Sequence, residues 1–599
     1  MAVSEIVVRL LGRPEIERDG VVVAGPRGRK VWGVMACLVL AEQRVPRARL
    51  AALLFGGADD PLGALRWALA QVRRVLELPG VLRGDPLELD LPSAVTVDVL
   101  LLIEGDVDPG LARGELLEGT DPKAGDVFDA WLMVERRRLA GVCEGVLRDA
   151  ALGSLVAGVP LEGAALASRA LSLSPFDESL HELLVRCLAR AGQFGAARHH
   201  ANACEVQFRR ELGRAPDPRV RRAAEESGSG GSPPTGDRAA AVGQLEAGMA
   251  ALAAGAAEPG VACLRMACAE ARACAEPGLV ARVLEELGSA LVHVVRGRDE
   301  EGAALLQEAL AVAEQAGDRA IAARACRELG YVEVQAGRGA SAGRWLDRAT
   351  ALAGTDGERA AVLGVRGMAL SDRAHYRAAV ALLSESVSTA ERCGATRQAA
   401  WSSALLGRAL LLRGDLFEAA AVLDRSLILV ENEGWVAFQP FPEAVRAEVA
   451  LMGGKFEQAD TLLRHAFALG CRLGDPCWEA LAARAIGLVH AARGELAPAL
   501  ERLRDATQRA VRLCDPYLWV YAYTLDALAG VAIAAEADDA TGLVDDLERI
   551  AARSDMRELI VRAALHRASL GDRAAVEAVR PLAEAIDSPA LHLALEAIA

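Results

Sequence analysis

The side chains best suited to chemistry in this sequence belong to nine histidines, 12 cysteines and three lysines. A nucleotide-binding P-loop requires GxxxxGK[ST], because its lysine must reach the β- and γ-phosphates. Neither Lys30 nor Lys123 has glycine directly before it. Lys455 is followed by Phe456, with Val449 at the position of the first glycine. The sequence therefore predicts no ATP-driven switch of this type.

The histidines and cysteines also lack the spacing of catalytic or metal sites, since the sequence contains no HExxH and no CxxC. His199 and His200 are adjacent, so on a helix their side chains point about 100° apart, which is poor geometry for joint ligation of a metal. Scattered cysteines in predicted helices are typical of small buried residues in a reducing compartment. We expect no hydrolase or other enzyme, and neither a metal nor a cofactor.

Charge is distributed unevenly along the chain. Residues 1–100 hold 13 basic and 12 acidic residues, so the total of −15 leaves a net charge of −16 on the remainder. Because an acidic surface repels a polyanion, any contact with nucleic acid should lie in the first hundred residues. Charges interrupt the opening MAVSEIVVRLLG and every longer apolar stretch, so we predict a cytoplasmic protein without membrane contact.

The first hundred residues have the element order of a winged helix. Short extended segments are predicted at 5–12, 14–18, 21–24, 81–83, 87–91 and 95–99, and helices at 28–42, 47–54 and 61–76. In the third helix, Leu65, Leu69, Val72 and Leu76 are spaced four, three and four residues apart, which places them on one helical face. We predict three strands, three helices and a terminal hairpin.

The remainder of the chain is predicted to be helical. Turns at Gly158 and Gly192, 34 residues apart, indicate tetratricopeptide-like (TPR-like) helix pairs within 100–226, and residues 227–238 (SGSGGSPPTGDR) predict a flexible linker. From 239 to 599, helix-pair turns recur after a loose first member around Gly255–Gly260. They fall near Gly297, Gly337, Arg373, Gly414, Gly454, Gly494, Asp538 and Gly571, with the clear spacings equal to 40 residues. Such pairs must stack to bury their apolar faces, so we predict an α-solenoid.

The N-terminal part resembles a known family. The run LLGRPEIERDGVVVAGPRGRKVWGVMACLVLAEQRVPRARLAALLF, followed by DDPLGALRWALAQVRRVL, is similar to the DNA-binding domain of Streptomyces antibiotic regulatory proteins. The segments VTVDV, ERRRLAGV and ALASRALSLSPFDESLHELLVRCLARAGQFGAARHHANAC are similar to that family's activator domain. The resemblance implies an OmpR-type winged helix at 1–99 and a bacterial transcriptional activator domain at 100–226. The array at 239–599 resembles those of larger bacterial regulators.

The resemblance also implies a mode of DNA binding, in which the third helix enters the major groove and the hairpin lies in a minor groove. The residues it assigns are those of the third helix (Arg66, Trp67, Gln71, Arg73, Arg74), phosphate contacts at the starts of the first two helices (Arg27, Arg29, Lys30, Arg47, Arg49), and Arg83 on the wing. Trp67 and Ala70 replace polar residues that the family usually carries, which removes hydrogen-bonding groups from this face.

One aromatic cluster stands out in a chain with few aromatic residues. The segment PYLWVYAY at 516–523 places Tyr517, Trp519, Tyr521 and Tyr523 on the first helix of a pair, and Trp435 lies where another first helix begins. First helices line the concave groove of such arrays, so these aromatics predict a groove for a peptide, a protein partner or a small ligand. The alternative interpretation is ordinary packing between repeats.

These patterns together predict a transcription regulator, in the first instance an activator, that binds double-stranded promoter DNA and recruits RNA polymerase. The repeats would sense a signal or mediate assembly, and the resemblance implies binding as a homodimer. The alternative is a TPR scaffold with a degenerate winged helix that does not read DNA. A DNA-facing surface with many basic residues would favour the regulator, and a surface neutralised by acidic residues would favour the scaffold.

Overall fold

The structure is a computed structural model that describes residues 5–105, 108–225, 236–253 and 256–597. Most of the predicted linker at 227–238 lies outside these residues, as does Gly255 at the start of the loose first repeat. The described part of the chain is mostly helical, which confirms the predicted fold class. None of the helices in these ranges combines the length and apolar character needed to cross a bilayer.

The first hundred residues form a mixed sheet, three helices and a hairpin. The elements are β1 (Ile6–Arg9), β2 (Glu15–Arg18), β3 (Val21–Val23), α1 (Arg29–Val39), α2 (Arg47–Phe55), α3 (Pro61–Leu76), β4 (Leu82–Arg83), β5 (Glu88–Leu89) and β6 (Val95–Val97). Strand order in the sheet is β3-β2-β1-β6, with β1 antiparallel to β2 and parallel to β6. The predicted winged-helix order is confirmed. The wing is the β4–β5 hairpin, and the extended segment predicted at 95–99 joins the main sheet beside β1.

Helix α3 is set by local sequence and by its apolar face. Pro61 occupies the first turn, where no intrahelical N–H is needed, and the side chain of Asp60 caps the helix by accepting from the N–H of Gly63 at 2.8 Å. The apolar residues of the predicted face are all buried, namely Leu65, Leu69, Val72 and Leu76. Burial of this face against α1 and α2 leaves the opposite face of α3 pointing outward.

The winged helix is joined rigidly to the segment that follows it. Helix α4 (Asp98–Glu104) begins at a buried carboxylate, because Asp98 accepts from the N–H groups of Leu10, Leu11 and Val99 at 2.8–3.0 Å. Burial raises the pKa of Asp98, although these N–H donors oppose the shift. The apolar core of the head continues beyond residue 100 into the first two thirds of the next long helix, as far as residue 146.

The predicted activator segment is built from five helices. They are α5 (Asp126–Val156), α6 (Pro160–Leu173), α7 (Glu178–Arg190), α8 (Phe194–Leu212) and α9 (Pro218–Glu225). The predicted turns at Gly158 and Gly192 have φ values of 78° and 75°, a conformation that favours glycine. The domain boundary predicted between residues 99 and 100 remains a prediction.

The array consists of helix pairs packed in chain order. Its helices are α10 (Arg238–Ala253), α11 (Ala257–Cys274), α12 (Pro277–His293), α13 (Asp299–Ala316), α14 (Arg319–Gln335), α15 (Gly339–Leu352), α16 (Asp356–Asp372), α17 (Tyr376–Arg392), α18 (Thr396–Arg413), α19 (Leu416–Asn432), α20 (Pro440–Met452), α21 (Phe456–Leu473), α22 (Pro476–Ala492), α23 (Leu496–Ala510), α24 (Leu518–Ala534), α25 (Ala540–Arg553), α26 (Arg557–Ser569), α27 (Ala574–Ala585) and α28 (Pro589–Glu596). The predicted pair turns are confirmed. The two predicted near Arg373 and Asp538 place Ala374 and Glu536 at positive φ, where the others have glycine.

The array folds back on the N-terminal half. Helix α5 packs against α13 and α15 near one end of the array and against α25 and α27 near the other. At the second contact, Arg49 of α2 pairs with Glu584 of α27 at 3.0 Å, and Arg557 of α26 donates to Glu42 after α1 at 2.7 Å. The head, the activator segment and the last repeats therefore meet at one junction.

Candidate nucleic-acid interface

The outward face of α3 carries the predicted reading residues. Arg66, Trp67, Ala70 and Arg74 are exposed, and the Trp67 side chain is 49 % exposed although it is large and apolar. Arg74 makes no ion pair or side-chain hydrogen bond within the described ranges, and Arg66 has only a 3.5 Å contact with Asp60. Arg66 and Arg74 are therefore available to contact phosphate or a guanine edge.

The loop before α1 lies next to this face. Gly28 has φ 90°, and a Cβ placed there would lie 3.2 Å from the Trp67 ring, so the ring packs directly over the loop. Arg27 and Arg29, on either side of Gly28, are exposed and have no charged partner among the residues that the structure describes. The contact of Trp67 with Gly28 thus brings two further arginines beside the outward face of α3.

Several other predicted DNA contacts hold the wing in place. Arg73 donates from Nη2 to the carbonyl of Leu82 at 3.0 Å, and Arg47 donates from Nε to the carbonyl of Gly84 at 3.0 Å. Arg83 is exposed on β4 and lies 3.5 Å from a carboxylate of the same wing. These side chains fix the hairpin relative to α2 and α3, and only Arg83 projects from it.

The remaining predicted head residues are also engaged within the chain. Lys30 donates from Nζ to the carbonyl of Leu54 at 2.7 Å, and Arg49 pairs with Glu584 of the last repeats. Gln71 is half-buried, and its Oε1 lacks a hydrogen-bond donor in the described part of the chain. Of the predicted set, the side chains left on the surface without a strong internal partner are those of Arg27, Arg29, Arg66, Trp67 and Arg74.

Acidic residues flank one end of this surface. Asp59 and Asp60 are exposed at the N-terminus of α3, the end of a recognition helix that usually contacts base edges. Asp60 is fixed there by its capping bond to Gly63. The candidate interface is therefore basic along α3 and the loop before α1, and acidic at the start of α3.

The predicted aromatic cluster lies inside the array. Tyr517 and Trp519 are buried, and Tyr521 and Tyr523 are half-buried. The rings of Trp519 and Tyr523 stack with centroids 4.6 Å apart. Trp435 is half-buried and stacks on Phe438 at 4.6 Å.

The hydroxyl groups of this cluster bond to first helices across the interior. Tyr517 donates to Asp372 of α16 at 2.8 Å, and Arg408 of α18 donates to both Tyr517 and Asp372, at 2.7 and 2.5 Å. Burial raises the pKa of Asp372 to about 6, against the opposing effect of Arg408. Tyr523 donates to Glu448 of α20 at 2.8 Å. The cluster therefore joins helices that lie far apart in sequence.

A second buried ion cluster, which the sequence did not reveal, docks α5 into the array. Arg148 is fully buried and donates to Glu300 of α13 at 3.0 Å and to Glu333 of α14 at 2.7 Å. Arg338, between α14 and α15, donates to the same two carboxylates at 3.0 and 2.7 Å. Burial alone would raise the pKa of Glu300, but Arg148 and Arg338 lower it to about 2.

One group of possible metal ligands occurs among the described residues. Glu178, Asp217 and Cys514 come from α7, from the segment before α9 and from the loop before α24. The Cys514 thiol donates to Asp217 at 2.9 Å and to Glu178 at 3.2 Å, and Arg214 pairs with Glu178 at 2.6 Å. Burial raises the pKa of Cys514, and its hydrogen bonds link the activator segment to the array.

A GxSxG pattern, which the sequence-based exclusion of hydrolases overlooked, occurs as GASAG at 339–343. A nucleophile elbow requires a strand, a sharp turn and a helix, with an exposed serine. Here the pattern lies at the start of α15, after another helix. Ser341 is buried, and its Oγ accepts from Arg344 at 2.9 Å. This serine lacks the setting of a hydrolase nucleophile.

Comparison with known protein families identifies one domain of the chain. Residues 110–226 match the family model of the bacterial transcriptional activator domain. The chain thus carries this domain followed by TPR-like helical repeats, as the sequence predicted. No curated protein sequence matches the chain.

Solved structures show similarity at low identity. A Rap protein complexed with competence and sporulation factor is 12 % identical, with TM-score 0.45, over 60 % of this chain and 99 % of that chain. Mycobacterium tuberculosis EmbR, in complex with a low-affinity phosphopeptide, is 18 % identical with TM-score 0.29, over 38 % of this chain and 65 % of that chain. A signal transduction ATPase with a TPR sensor from Pyrococcus horikoshii is 14 % identical with TM-score 0.36, over 61 % of this chain and 54 % of that chain.

Proposed function

We propose that this protein is a DNA-binding transcription regulator whose winged helix binds double-stranded promoter DNA through α3 and the loop before α1. The observation that carries the proposal is the group of exposed arginines, Arg27, Arg29, Arg66 and Arg74, around the outward face of α3. Free guanidinium groups on a helix that fits the major groove suit phosphate and guanine contacts. The adjoining bacterial transcriptional activator domain supports a role in transcription.

The roles of the residues follow from their surroundings. Arg66 and Arg74 would contact base edges or phosphates from α3, and Arg27 and Arg29 would bind phosphates on one flank. Trp67 would contribute apolar contact, because it packs on Gly28 and offers its remaining surface to the duplex. Arg73 and Arg47 would act by holding the wing in position.

The rest of the chain would convert DNA binding into regulation. The activator domain would recruit RNA polymerase, and the array would sense a signal or assemble the regulator, with a homodimer as the DNA-bound form. The aromatic side chains predicted to form a ligand groove, Trp435, Tyr517, Trp519, Tyr521 and Tyr523, are packed or hydrogen-bonded within the chain. A ligand in that groove would therefore have to displace internal contacts.

Selection of genomic DNA fragments by the purified full chain tests the proposal. We expect one motif to be enriched by the wild type and to disappear with the Arg66→Ala/Arg74→Ala variant. Arg73 is left intact because its loss would perturb the wing. The matched control is Arg209→Ala/Arg210→Ala on α8, where both side chains are exposed, and it should retain the motif. No enrichment, or enrichment that survives in the α3 variant, would contradict the proposal.

A second candidate function is a TPR scaffold whose head does not read DNA. The contact of Arg66 with Asp60 and the exposed carboxylates of Asp59 and Asp60 favour this alternative, because they place negative charge at the reading end of α3. The same selection separates the two functions. A scaffold would retain no DNA even at low salt, where phosphate contacts are strongest.

A further inference from the structure

A cavity of about 580 Å³ lies at the junction of the winged helix, the activator domain and the last repeats. It is bounded by the end of α1 and by α2, by the first half of α5, and by α26 and α27. Cavities of about 300–1,000 Å³ between domains are the usual size for drug-sized ligands. This cavity is separate from the aromatic cluster around α24.

Most of the cavity wall is apolar, and each of the three parts of the chain contributes to it. The apolar lining comes from α1 and α2 (Leu40, Leu50, Leu53), from α5 (Trp131, Val134) and from α26 and α27 (Ile560, Val579, Leu582). Exposed residues such as Gln43 and Glu584 stand at its edge, so the cavity reaches the surface. An apolar wall of this extent favours a ligand with an apolar body.

Among the polar residues of the cavity wall, Arg557 is the one with a buried donor that lacks an acceptor in the described ranges. This residue is only 4 % exposed, and its Nη1 donates to Glu42 at 2.7 Å. Its buried Nε has no hydrogen-bond acceptor in the described ranges, and the nearer oxygen of Asp555 is 3.8 Å away. A buried donor without an acceptor is unfavourable, and Nε is covered by protein in the unliganded chain, so a ligand oxygen would bond to it after a small rotation of the Arg557 side chain.

The charges around the cavity restrict the type of ligand. Each arginine of the wall already has a carboxylate partner: Arg44 pairs with Glu88, Arg49 with Glu584, Arg138 with Glu135, Arg557 with Glu42 and Arg580 with Glu577. A charged ligand would have to break one of these pairs, whereas a neutral oxygen acceptor can bond to Nε without disturbing them.

We propose that this junction cavity binds an uncharged, mainly apolar small molecule with a carbonyl oxygen that accepts a hydrogen bond from Nε of Arg557. The ligand would contact the winged helix and the last repeats at once, so its binding would bias the packing of α2 against α27. The effect of such a ligand on DNA affinity rests on the proposed function above, but binding in the cavity does not.

The test uses the neutral fluorescent ketone 6-propionyl-2-dimethylaminonaphthalene, titrated into the full chain without DNA. We expect saturable binding of one molecule per chain, with blue-shifted emission from an apolar site. Leu53→Trp on α2 and Leu582→Trp on α27 each fill the cavity from a different wall and should abolish binding. Leu161→Trp on α6, at an exposed position away from the cavity, is the matched control and should bind as the wild type does.

Two further variants test the hydrogen bond. Arg557→Met removes the Nε donor and should weaken binding about tenfold, the usual effect of losing one hydrogen bond to a charged group. Arg573→Met, at an exposed position just before α27 and outside the cavity lining, is the matched control and should leave the affinity unchanged. Circular dichroism and melting curves identify the folded variants, and only these are compared.

The outcomes separate this inference from the DNA-binding proposal, because no DNA is present. Loss of binding in both cavity-filling variants and weakening in Arg557→Met would support the site. Absence of saturable binding in the wild type, or equal affinity in Leu53→Trp and Leu582→Trp, would overturn it. Equal affinity in Arg557→Met would overturn the assigned hydrogen bond.

Discussion

Replacing Arg148 with methionine should undock the activator domain from the array. The side chain of Arg148 is fully buried and bonds to Glu300 and Glu333, so its removal leaves two buried carboxylates with Arg338 as the cation that still bonds to both. Removing one partner of a buried pair costs about 3–5 kcal/mol of folding free energy. We expect the lower end of this range, because Arg338 still donates to both carboxylates.

The pKa of Glu300 also depends on Arg148 and Arg338. Burial acts to raise it, yet Arg148 and Arg338 lower the pKa from 4.5 to about 2. At 1.36 kcal/mol per pKa unit, the lowering corresponds to about 3 kcal/mol of stabilisation. Because the folded pKa is depressed, this contribution is present above about pH 4.5 and is lost as the pH falls towards 2.

Urea unfolding and hydrogen exchange of α5 measure the effect of Arg148→Met. We expect about 3 kcal/mol of destabilisation and faster exchange in α5, with partial recovery when Glu333 is also changed to glutamine, because Glu300 then still pairs with Arg338. The control is Arg209→Met, whose exposed pair with Glu205 should contribute less than about 0.5 kcal/mol. A loss of less than about 1 kcal/mol in Arg148→Met, or no recovery in the Arg148→Met/Glu333→Gln variant, would refute this explanation of docking.

Three further changes have expected outcomes. The pKa of Asp372 is raised to about 6 in the folded chain, so protonation of this carboxyl at lower pH favours the folded state. As the pH falls from 8 to 4, the unfolding free energy of the wild type should rise by up to about 3 kcal/mol relative to that of Asp372→Asn. A difference that does not change with pH would contradict this. Gly28→Ala should lower the free energy of unfolding by about 1 kcal/mol and shift the Trp67 emission, because φ is 90° and the Trp67 ring would have to move by a few tenths of an ångström to admit a Cβ. An unchanged melting temperature would argue against it. Glu584→Ala should free Arg49 and raise the DNA affinity measured in anisotropy titrations by up to about fivefold, which corresponds to the free energy of an exposed ion pair. A loss of affinity would mean that the Arg49–Glu584 pair supports the fold of the head.

The sequence predicted the winged-helix order because local signals there agree with the tertiary packing. The apolar residues from Leu65 to Leu76 recur at helical spacing and become the buried face of α3, and Pro61 marks its first turn. The helix-pair turns were equally visible, since most of them require positive φ and therefore carry glycine. Local sequence determines such features, so a single chain suffices to predict them.

The long-range contacts could not be predicted in the same way. In sequence, Arg148 and Arg408 look like ordinary charged residues on helices, yet both are fully buried and paired with residues 36 to 185 positions away. The same applies to Arg49, which was predicted to contact phosphate and which pairs with Glu584 of α27 in this structure. These ion-pair partners depend on how the array packs against the N-terminal half, and residue spacing within a single helix does not predict that packing.

The central claim is that the arginines beside α3 bind DNA. The most direct measurement is fluorescence anisotropy of a labelled duplex from the selected fragments, titrated with protein at several salt concentrations. The head variant changes Arg27, Arg29 and Arg74 to alanine together. The control variant changes three exposed arginines on other surfaces, namely Arg209, Arg210 and Arg464, to alanine.

Each phosphate that the protein neutralises contributes about −0.9 to the slope of log affinity against log salt for duplex DNA. The head variant should bind more weakly than the wild type, and its slope should be shallower by about 2 to 3, since each of the three arginines would neutralise one phosphate. The control variant should keep the affinity and slope of the wild type. Equal affinities and slopes in the wild type and both variants would contradict the claim that this surface binds DNA.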